Sequence, residues 1–300
     1  MKAKIAVGSS AVAWGPYASH PVDLYTFARR LVELGCDGIE LFGGEPHGSF
    51  ARYPTTEQQQ ALGKRLRELG LAVACYGVGV ENARPAAADE QERARYRAAV
   101  VRGLDFTAAL DCRLMRLDTN EDPRPVEGES LADDWARTVD SFRWAATEAE
   151  KRGVTIVWEY EPGFRFNKPS QVVRMLKEVE HPHFTALYDV CHSQTVSVVG
   201  ARQPEPIETL SGGPIELAHL LSGHIGYVHL IDSDNTLHDN ATSMHVPFGR
   251  GVVDMPAVVR ALLEAGYRGD WWTVDLCFWP QAWEELEPAV RYVRDLLGRL

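Results

Sequence analysis

The chain has 300 residues, of which 45% are hydrophobic and 24% are charged, and its formal net charge is −11 at pH 7. Nucleic-acid binding draws most of its affinity from Lys and Arg side chains that neutralise phosphates, so this charge disfavours a nucleic-acid partner. A small-molecule substrate fits the composition better. The length suits either two domains or one α/β barrel, and the hydrophobic periodicity has to decide between them.

The five cysteines are scattered along the chain, and no two of them have the C-x-x-C spacing of a metal or redox motif. The opening segment, MKAKIAVGSS, has no apolar run of the length that a secretion signal needs. No stretch approaches the ~20 apolar residues that span a bilayer. These features predict a reduced, cytoplasmic protein without a membrane partner.

One sequence pattern recurs along the chain. A helix-like segment ending in Gly is followed within a few residues by a short apolar run, as in LVELGCDGIEL (31–41) and AEKRGVTIVWEY (149–160). The Gly is typical of a helix C-cap, and a nearly all-apolar strand is typical of a parallel sheet that is covered on both faces. The pattern predicts eight strands, at about 4–9, 37–42, 72–77, 113–118, 154–160, 184–189, 225–231 and 271–276.

Amphipathic helices are predicted between these strands, most clearly at 90–110, at 130–153 and near 282–299. Strict alternation of eight strands with helices predicts an α/β fold, a closed (β/α)8 or TIM barrel, as a single domain over residues 1–300. A doubly wound open sheet is the alternative, but GSSAVAWGP follows the first strand where that fold normally has G-x-G-x-x-G. The irregular segments at about 193–214 and 232–253 are predicted to be loops on the active-site face.

Polar residues stand at the C-terminal ends of several predicted strands, where a barrel brings distant residues together. They are Glu40, Asp118, Glu159, Glu161, Asp189, His229 and Asp275. Four of them, Glu159, Asp189, His229 and Asp275, come from consecutive strands. Their three carboxylates would repel one another in a water-accessible pocket unless a divalent cation neutralised them. Oxygen-rich ligands with one nitrogen suit Mn, Mg or Co, and Zn is also compatible.

Taken singly, each of these residues has an ordinary explanation, such as a helix cap, an ion pair with Arg or a histidine in the core. The joint pattern is what favours a metal site. Glu161 shares strand parity with Glu159 and is the alternative ligand; Glu159 is preferred because it directly follows the apolar run. His192, three residues after Asp189, is either a residue of the first turn of the loop or a partner for a substrate oxygen.

The segments VTIVWEYEPG, TALYDVCHS, IGYVHLIDSD, HVPFGRGVVD and WWTVDLCFWP resemble, in order and spacing, the sugar phosphate isomerase/epimerase family with the xylose-isomerase-like barrel. The resemblance extends from DGIEL in the second predicted strand to the last helix. It implies that the metal ligands are Glu159, Asp189, His229 and Asp275, and that His192 contacts the substrate. It also implies acid and base roles for Glu159 and Asp275, although the family usually has Glu where Asp275 stands.

The chain departs from the family pattern at Arg250 as well, since FGRG often has an acidic residue between its glycines. Arg250 is therefore predicted to anchor a phosphate or carboxylate of the substrate. Trp14, Glu161 and His245 are further predicted substrate contacts. Seven aromatic residues are candidates for the pocket walls, and about half of them are expected to be plain core: Trp14, Phe42, Trp158, Phe164, Trp272, Phe278 and Trp279.

The predicted function is a metal-dependent sugar isomerase or epimerase, with Mn as the preferred cation. It would act on a ketose or keto-sugar through proton abstraction and a metal-stabilised enediolate. A lyase or dehydratase that acts by β-elimination, for example on a 3-keto glycoside, is the nearest alternative, and Asp275 modestly favours it.

Two further alternatives belong to other classes. One is a non-catalytic subunit, and the other is an abasic-site endonuclease with a three-metal cluster that would draw on Glu40, His47, Asp118 and His245. The acidic charge argues against the endonuclease. The apolar last helix and the CFWPQAW stretch suggest a homo-oligomer.

Overall fold

The structure is a computed structural model and describes residues 3–79, 83–125, 128 and 130–299. Its strands are β1 (Lys4–Gly8), β2 (Gly38–Phe42), β3 (Ala72–Gly77), β4 (Leu114–Asp118), β5 (Thr155–Glu159), β6 (Phe184–Asp189), β7 (Ile225–Leu230), β8 (Asp232–His238), β9 (Thr242–Val246) and β10 (Trp271–Val274). All except β8 and β9 form a closed parallel barrel in the order β1-β10-β7-β6-β5-β4-β3-β2. The predicted single-domain barrel is confirmed, while the exact extent of the domain along the chain stays a prediction.

Helices alternate with the barrel strands and cover them. They are α1 (Leu24–Glu33), α2 (Thr56–Glu68), α3 (Glu90–Ala109), α4 (Leu131–Glu150), α5 (Pro169–Val179), α6 (Val190–Gln194), α7 (Gly213–Leu220), α8 (Met255–Glu264) and α9 (Ala282–Leu297). In α9 the predicted apolar stripe is buried at Leu286, Val290 and Val293, so this helix packs on the barrel as expected. Among the helices of the described residues, none has the length and apolar character to cross a bilayer.

The barrel interior is filled by small and medium-sized apolar side chains. Val157 of β5, Leu187 of β6 and Tyr227 of β7 are fully buried there, in a cluster separate from the large core between strands and helices. Since successive side chains of a strand point to opposite faces, the residue two positions later on each strand points into the same interior. This parity decides which polar residues meet at the C-terminal opening.

The segment between β7 and α8 is not the irregular loop that the sequence predicts. Its first part is the antiparallel hairpin β8–β9, so the prediction of a loop over 232–253 is wrong there. The buried positions of this hairpin include Ser233, Ser243 and His245, and polar side chains hide the apolar alternation by which a strand is recognised. The segment predicted as a loop at 193–214 likewise begins in α6 and continues as a π-helical turn, Thr195–Val199.

Asp232 holds this hairpin to the turn that follows it. Its Oδ1 accepts hydrogen bonds from the backbone N–H groups of Ser233 at 2.9 Å and Val253 at 3.1 Å. Its Oδ2 accepts from Gly249 at 3.0 Å and Gly251 at 3.1 Å. A Cβ on Gly251 would lie 2.2 Å from Asp232 Oδ1, so only glycine permits this approach. The FGRG turn is thus built around a buried carboxylate.

We expect Asp232→Ala to lower the free energy of unfolding by about 3 kcal/mol, because four backbone N–H groups lose a charged acceptor. Asp234→Ala is the matched control, since within the described part of the chain Asp234 accepts side-chain hydrogen bonds from exposed Thr236 alone, and it should cost less than about 1 kcal/mol. Urea denaturation of the two variants measures both values. Equal losses would mean that the turn does not depend on the Asp232 carboxylate.

Candidate active site

A layer of polar side chains lies directly above the apolar filling of the barrel. Its members follow the buried interior residues by two positions and share their direction: Glu159 on β5, Asp189 on β6, His229 on β7 and Asp275 just after β10. The parallel register aligns Asp189 with His229 across neighbouring strands. Closure of the barrel therefore brings together four side chains that are spread over more than a hundred positions of the chain.

The four side chains converge on one point. His229 Nδ1 lies 3.2 Å from Glu159 Oε1 and 3.5 Å from Asp189 Oδ2. It also lies 3.5 Å from Asp275 Oδ2. The four residues are only 1–5% exposed, so the expectation that they stand in a water-accessible pocket is wrong. They lie beneath the floor of the pocket. Because these groups are buried, their charges are screened much less than the charges of groups in water.

Three atoms at this point are buried and have no hydrogen-bond partner among the described residues: Glu159 Oε1, Asp189 Oδ2 and His229 Nδ1. Leaving such a group unpaired costs roughly 1–3 kcal/mol, and more when it is charged. The three atoms lie within 4.8 Å of one another, and His229 Nδ1 is 3.2 and 3.5 Å from the other two. These two distances are close to the roughly 3.4 Å between ligand atoms of a tetrahedral cation with bonds near 2.1 Å. The unpaired atoms and the donor set therefore fit a divalent metal ion.

The second ring nitrogen of His229 is held by a charged neighbour. His229 Nε2 lies 2.7 Å from Glu40 Oε2; because a carboxylate only accepts, Nε2 carries a proton and Nδ1 faces the centre. Burial lowers the pKa of His229, but Glu40 and the other carboxylates raise it well above its ordinary value. A cation at the centre would replace the second proton of this imidazole.

Asp189 and Asp275 are held by backbone N–H groups. Asp189 Oδ1 accepts a hydrogen bond of 2.7 Å from the N–H of His192, as the N-cap of α6. Asp275 Oδ1 accepts one of 3.1 Å from the N–H of Cys277. In both residues the second oxygen, Oδ2, is the one near His229 Nδ1. Fixing one oxygen orients the other, as outer contacts do for metal ligands.

Arg116, on β4, is a site residue that the sequence reasoning missed. Its Nε lies 2.9 Å from Glu159 Oε2, its Nη2 3.2 Å from Asp118 Oδ2 and its Nη1 3.8 Å from Glu40 Oε1. Burial would raise the pKa of Glu159, but Arg116 and His229 lower it to about 2, so this carboxylate is ionised. The signal in the sequence is a charged residue inside the apolar strand LMRLD, at the same parity as Asp118.

A cavity of about 420 Å³ opens above this layer. Its floor includes Glu40, Arg116 and Asp118, and its wall includes Glu161. Four of the seven candidate aromatics line it: Trp14, Phe42, Phe164 and Phe278. The others do not, since Trp158 and Trp272 are buried in the core and Trp279 packs under Arg250. The pocket thus combines apolar walls with a polar floor, as sites for small polar ligands do.

Two histidines lie between the cluster and the hairpin. His245 Nδ1 lies 3.5 Å from Asp275 Oδ2, and its Nε2 lies 4.0 Å from Asp189 Oδ1. His192 faces it with 5.0 Å between ring centroids. Burial lowers the pKa of His192 to about 4, so this imidazole is neutral near pH 7. Asp189, His192 and His245 also lie close enough together to share a cation.

Glu161 belongs to the pocket wall rather than to the four-residue layer. Its Oε2 accepts a hydrogen bond from Thr242 Oγ1 of the hairpin and lies 3.4 Å from His192 Nε2. Burial, opposed by this hydrogen bond and reinforced by Glu159, raises the pKa of Glu161 to about 8. Between the two glutamates that the sequence left as alternatives, Glu159 is the one whose free oxygen points to the centre.

Two of the residues singled out in the sequence are not brought to the site. The Arg250 side chain is 57% exposed, with its Nη2 2.6 Å from Glu285 Oε1, and it does not line the pocket. Its guanidinium lies over the Trp279 ring, 5.5 Å from the ring centroid, so the predicted contact of Arg250 with the substrate is not supported. His47, considered for an endonuclease-type cluster, is buried elsewhere with its Nε2 2.9 Å from the carbonyl oxygen of Val22.

Comparison with known proteins agrees with this fold. A family model described as xylose isomerase-like TIM barrel matches residues 28–295. The inosose dehydratase of Geobacillus kaustophilus (strain HTA426) is 22% identical over 256 residues, which cover 79% of this chain and 75% of that protein.

Solved structures resemble the whole chain at low sequence identity. A D-psicose 3-epimerase in the presence of D-fructose aligns with a TM-score of 0.75 and 17% identity, over 98% of this chain and 99% of that chain. The IolI protein with a bound zinc atom aligns with a TM-score of 0.74 and 17% identity, over 98% and 96%. A D-tagatose 3-epimerase-like protein gives 0.74 and 16%, over 99% of both chains. These likenesses concern the fold.

We expect Arg116→Met to lower the free energy of unfolding by about 3 kcal/mol in metal-free protein, because three carboxylates lose the cation that they share. Arg113→Met, at an exposed position just before the same strand, is the matched control and should cost less than about 0.5 kcal/mol. Adding Asp118→Asn to Arg116→Met should recover part of the loss. Urea denaturation measures all three; a loss no larger than that of Arg113→Met would contradict the shared-cation role.

Proposed function

The chain belongs to the xylose isomerase-like TIM barrel family, and we propose that it is a divalent-metal-dependent sugar isomerase or epimerase acting on a ketose or other keto-sugar. The observation that carries the proposal is the set of three buried, unpaired atoms of Glu159, Asp189 and His229 beneath a pocket with aromatic walls. The names of the related structures, two sugar epimerases and a protein with bound zinc, support it.

In this proposal Glu159, Asp189, His229 and Asp275 hold the cation. Three carboxylates with one imidazole suit Mn²⁺ best, and Mg²⁺, Co²⁺ and Zn²⁺ are the alternatives. A bound divalent cation supplies Lewis-acid polarisation of adjacent carbonyl and hydroxyl oxygens, which acidifies the C–H bond next to the carbonyl. The chain's own residues then have to orient the sugar, exclude water and move the proton.

The two carboxylates with predicted acid and base roles are not equivalent. Glu159 Oε2 is bound by the Arg116 guanidinium at 2.9 Å, so this oxygen is a weak proton acceptor. Among the described residues, the charged or ionisable nitrogens within 4.0 Å of Asp275 Oδ2 are His229 Nδ1 and His245 Nδ1, each at 3.5 Å, and burial raises the pKa of Asp275. We therefore assign proton abstraction to the Asp275 carboxylate, in addition to its place in the ligand set, and ligation alone to Glu159.

Neutral groups above the cluster orient the substrate. His192 and the protonated Glu161 carboxyl can exchange hydrogen bonds with sugar hydroxyls without adding charge to an already acidic site. His245 approaches from the hairpin side, and Trp14 offers an apolar face to the sugar ring. Because the pocket holds no cation other than Arg116 among its described lining residues, an uncharged keto-sugar fits it better than a phosphorylated one.

A dehydratase acting by β-elimination is the second candidate. A single free carboxylate suffices for elimination, whereas epimerisation needs proton delivery from the opposite face of the sugar. Because Arg116 binds Glu159, one of the two carboxylates is not available for this second proton transfer. The neutral Glu161 carboxyl at the pocket wall can donate a proton to a leaving hydroxyl group. The curated relative is an inosose dehydratase.

The metal assignment is tested by comparing Asp189→Asn with His192→Ala. We expect wild type to bind one Mn²⁺ per chain, and Asp189→Asn to weaken that affinity by about 100-fold because an anionic ligand is lost. His192→Ala keeps the backbone N–H that orients Asp189, so it should retain the metal and impair turnover. Elemental analysis after dialysis measures the content. Equal metal loss in both variants would contradict the division of roles, and three metals per chain would favour an endonuclease-type centre.

The reaction is tested by incubating the Mn²⁺-loaded protein with D-fructose, D-psicose, D-tagatose and scyllo-inosose in D2O. An isomerase or epimerase incorporates deuterium into a rearranged sugar of unchanged composition, whereas a dehydratase releases a product that has lost water. Asp275→Asn should slow either reaction by roughly 10²–10⁴-fold, and the exposed Asp234→Asn should not change it. Mass spectrometry and NMR distinguish the products; if no keto-sugar exchanges a proton or eliminates water, the proposal is wrong.

A further inference from the structure

A second cavity, nearer the surface, borders the pocket above the polar layer. The inner cavity measures about 420 Å³ and the outer one about 440 Å³. Trp14 and Phe278 line both of them. The outer cavity is completed by Gly15, Pro16, Ala18, His238 and Asp239. A ligand in the inner pocket can therefore extend outward along a shared aromatic wall.

Aromatic faces form most of that wall. Phe278 stacks on His238 with 4.5 Å between ring centroids and 24° between planes. Trp14 is 50% exposed and contacts Phe42 of the inner pocket at 5.7 Å between centroids. An indole left half in water beside a cavity is unusual, since large aromatic side chains normally bury most of their area. A ring bound in the outer cavity would cover it.

Two residues that line the outer cavity have a left-handed backbone conformation. Phe278 has φ 65, a left-handed conformation that is costly for a bulky residue. Gly15, which faces it, has φ 56, and a Cβ there would lie 2.7 Å from Phe278 Cδ1. Strain of this kind persists where surrounding structure enforces it, and it clusters at ligand sites. The absence of a side chain at Gly15 makes room for the Phe278 ring, which lines both cavities.

The rim of the outer cavity carries polar atoms suited to hydroxyl groups. His238 Nε2 lies 3.3 Å from Asp239 Oδ2, and the Asp239 side chain is 86% exposed. The Asp239 carboxylate can accept hydrogen bonds from the hydroxyl groups of a sugar ring, and the His238 imidazole can donate one through an N–H. The same carboxylate, in a protein of net charge −11, disfavours an anionic group at this position.

We propose that the outer cavity is a second sugar subsite, which binds an uncharged pyranose ring joined by a glycosidic bond to the keto-sugar in the inner pocket. The C–H faces of the pyranose lie on Trp14 and Phe278, and its hydroxyls reach His238 and Asp239. The preferred substrate is therefore a glycosylated keto-sugar, and free keto-sugars bind and react less well. This identification of the inner ring rests on the proposed function, whereas the outer subsite rests on the cavity and its aromatic wall.

The test is isothermal titration calorimetry of the Mg²⁺-loaded protein with D-fructose and with three disaccharides that carry a pyranose on fructose: lactulose, maltulose and turanose. We expect at least one disaccharide to bind about tenfold or more tightly than D-fructose, because a second ring adds stacking and hydrogen bonds. In His238→Ala this advantage should fall to less than about threefold. His219→Ala, a histidine on α7 whose Nε2 faces Glu264, is the matched control and should keep the full advantage.

The proposal is overturned if no disaccharide binds more tightly than D-fructose, including the case in which none of the four sugars binds. It is also overturned if His238→Ala keeps the advantage, or if His219→Ala loses it equally. Thermal unfolding of both variants checks that they are folded. Turnover is measured separately: tight binding that depends on His238, without any proton exchange or elimination, would refute the proposed function and leave the subsite standing.

Discussion

Repulsion among buried carboxylates is the constraint on which the rest of this site depends. Barrel closure brings Glu40, Asp118, Glu159, Asp189 and Asp275 to one opening, where most of them are nearly inaccessible to water. Two like charges 4 Å apart cost about 4 kcal/mol at an effective dielectric constant near 20. One guanidinium and one imidazole do not balance five carboxylates. Either protonation of a carboxylate or a further positive charge relieves this repulsion. Burial raises the pKa values of Asp118 and Asp275, which favours the first route, and the unpaired atoms at the centre mark where a cation would fit.

The same electrostatics distinguish Glu159 from Asp275, although both are buried carboxylates at the centre of the site. Arg116 binds the outer oxygen of Glu159 and leaves the inner one unpaired, which suits a ligand that stays ionised. Asp275 has no guanidinium next to it, and its inner oxygen lies between two imidazoles. Arg116 thereby makes the two carboxylates unequal, since β4 is next to the strand of Glu159 but four strands away from β10, which Asp275 follows. Chemistry that needs two equivalent bases is the least suited to this arrangement.

The barrel and the convergence of its strand ends were predictable because they follow from local rules. Glycine C-caps and apolar runs locate the strands, and the period of two makes Glu159, Asp189 and His229 point the same way. Arg116 is not predicted as a site residue, because the sequence does not show which groups a charged residue inside a short apolar strand contacts. The β8–β9 hairpin was missed because its buried face is polar. Arg250 was expected in the pocket because the sequence does not show that its guanidinium lies over the Trp279 ring.

The hairpin and the barrel strands supply different parts of the site. The barrel strands supply the ligands and the carboxylates, whose positions are set by closure of the sheet and leave little room for variation. The hairpin supplies His245 next to the centre, Thr242 against Glu161 in the inner pocket, and His238 with Asp239 at the outer cavity. Since Asp232 anchors its base, the tip of the hairpin lies at a fixed height over the opening. In the proposed function, the hairpin therefore limits the size of the sugar that fits the pocket, while the barrel strands supply the groups that react with it.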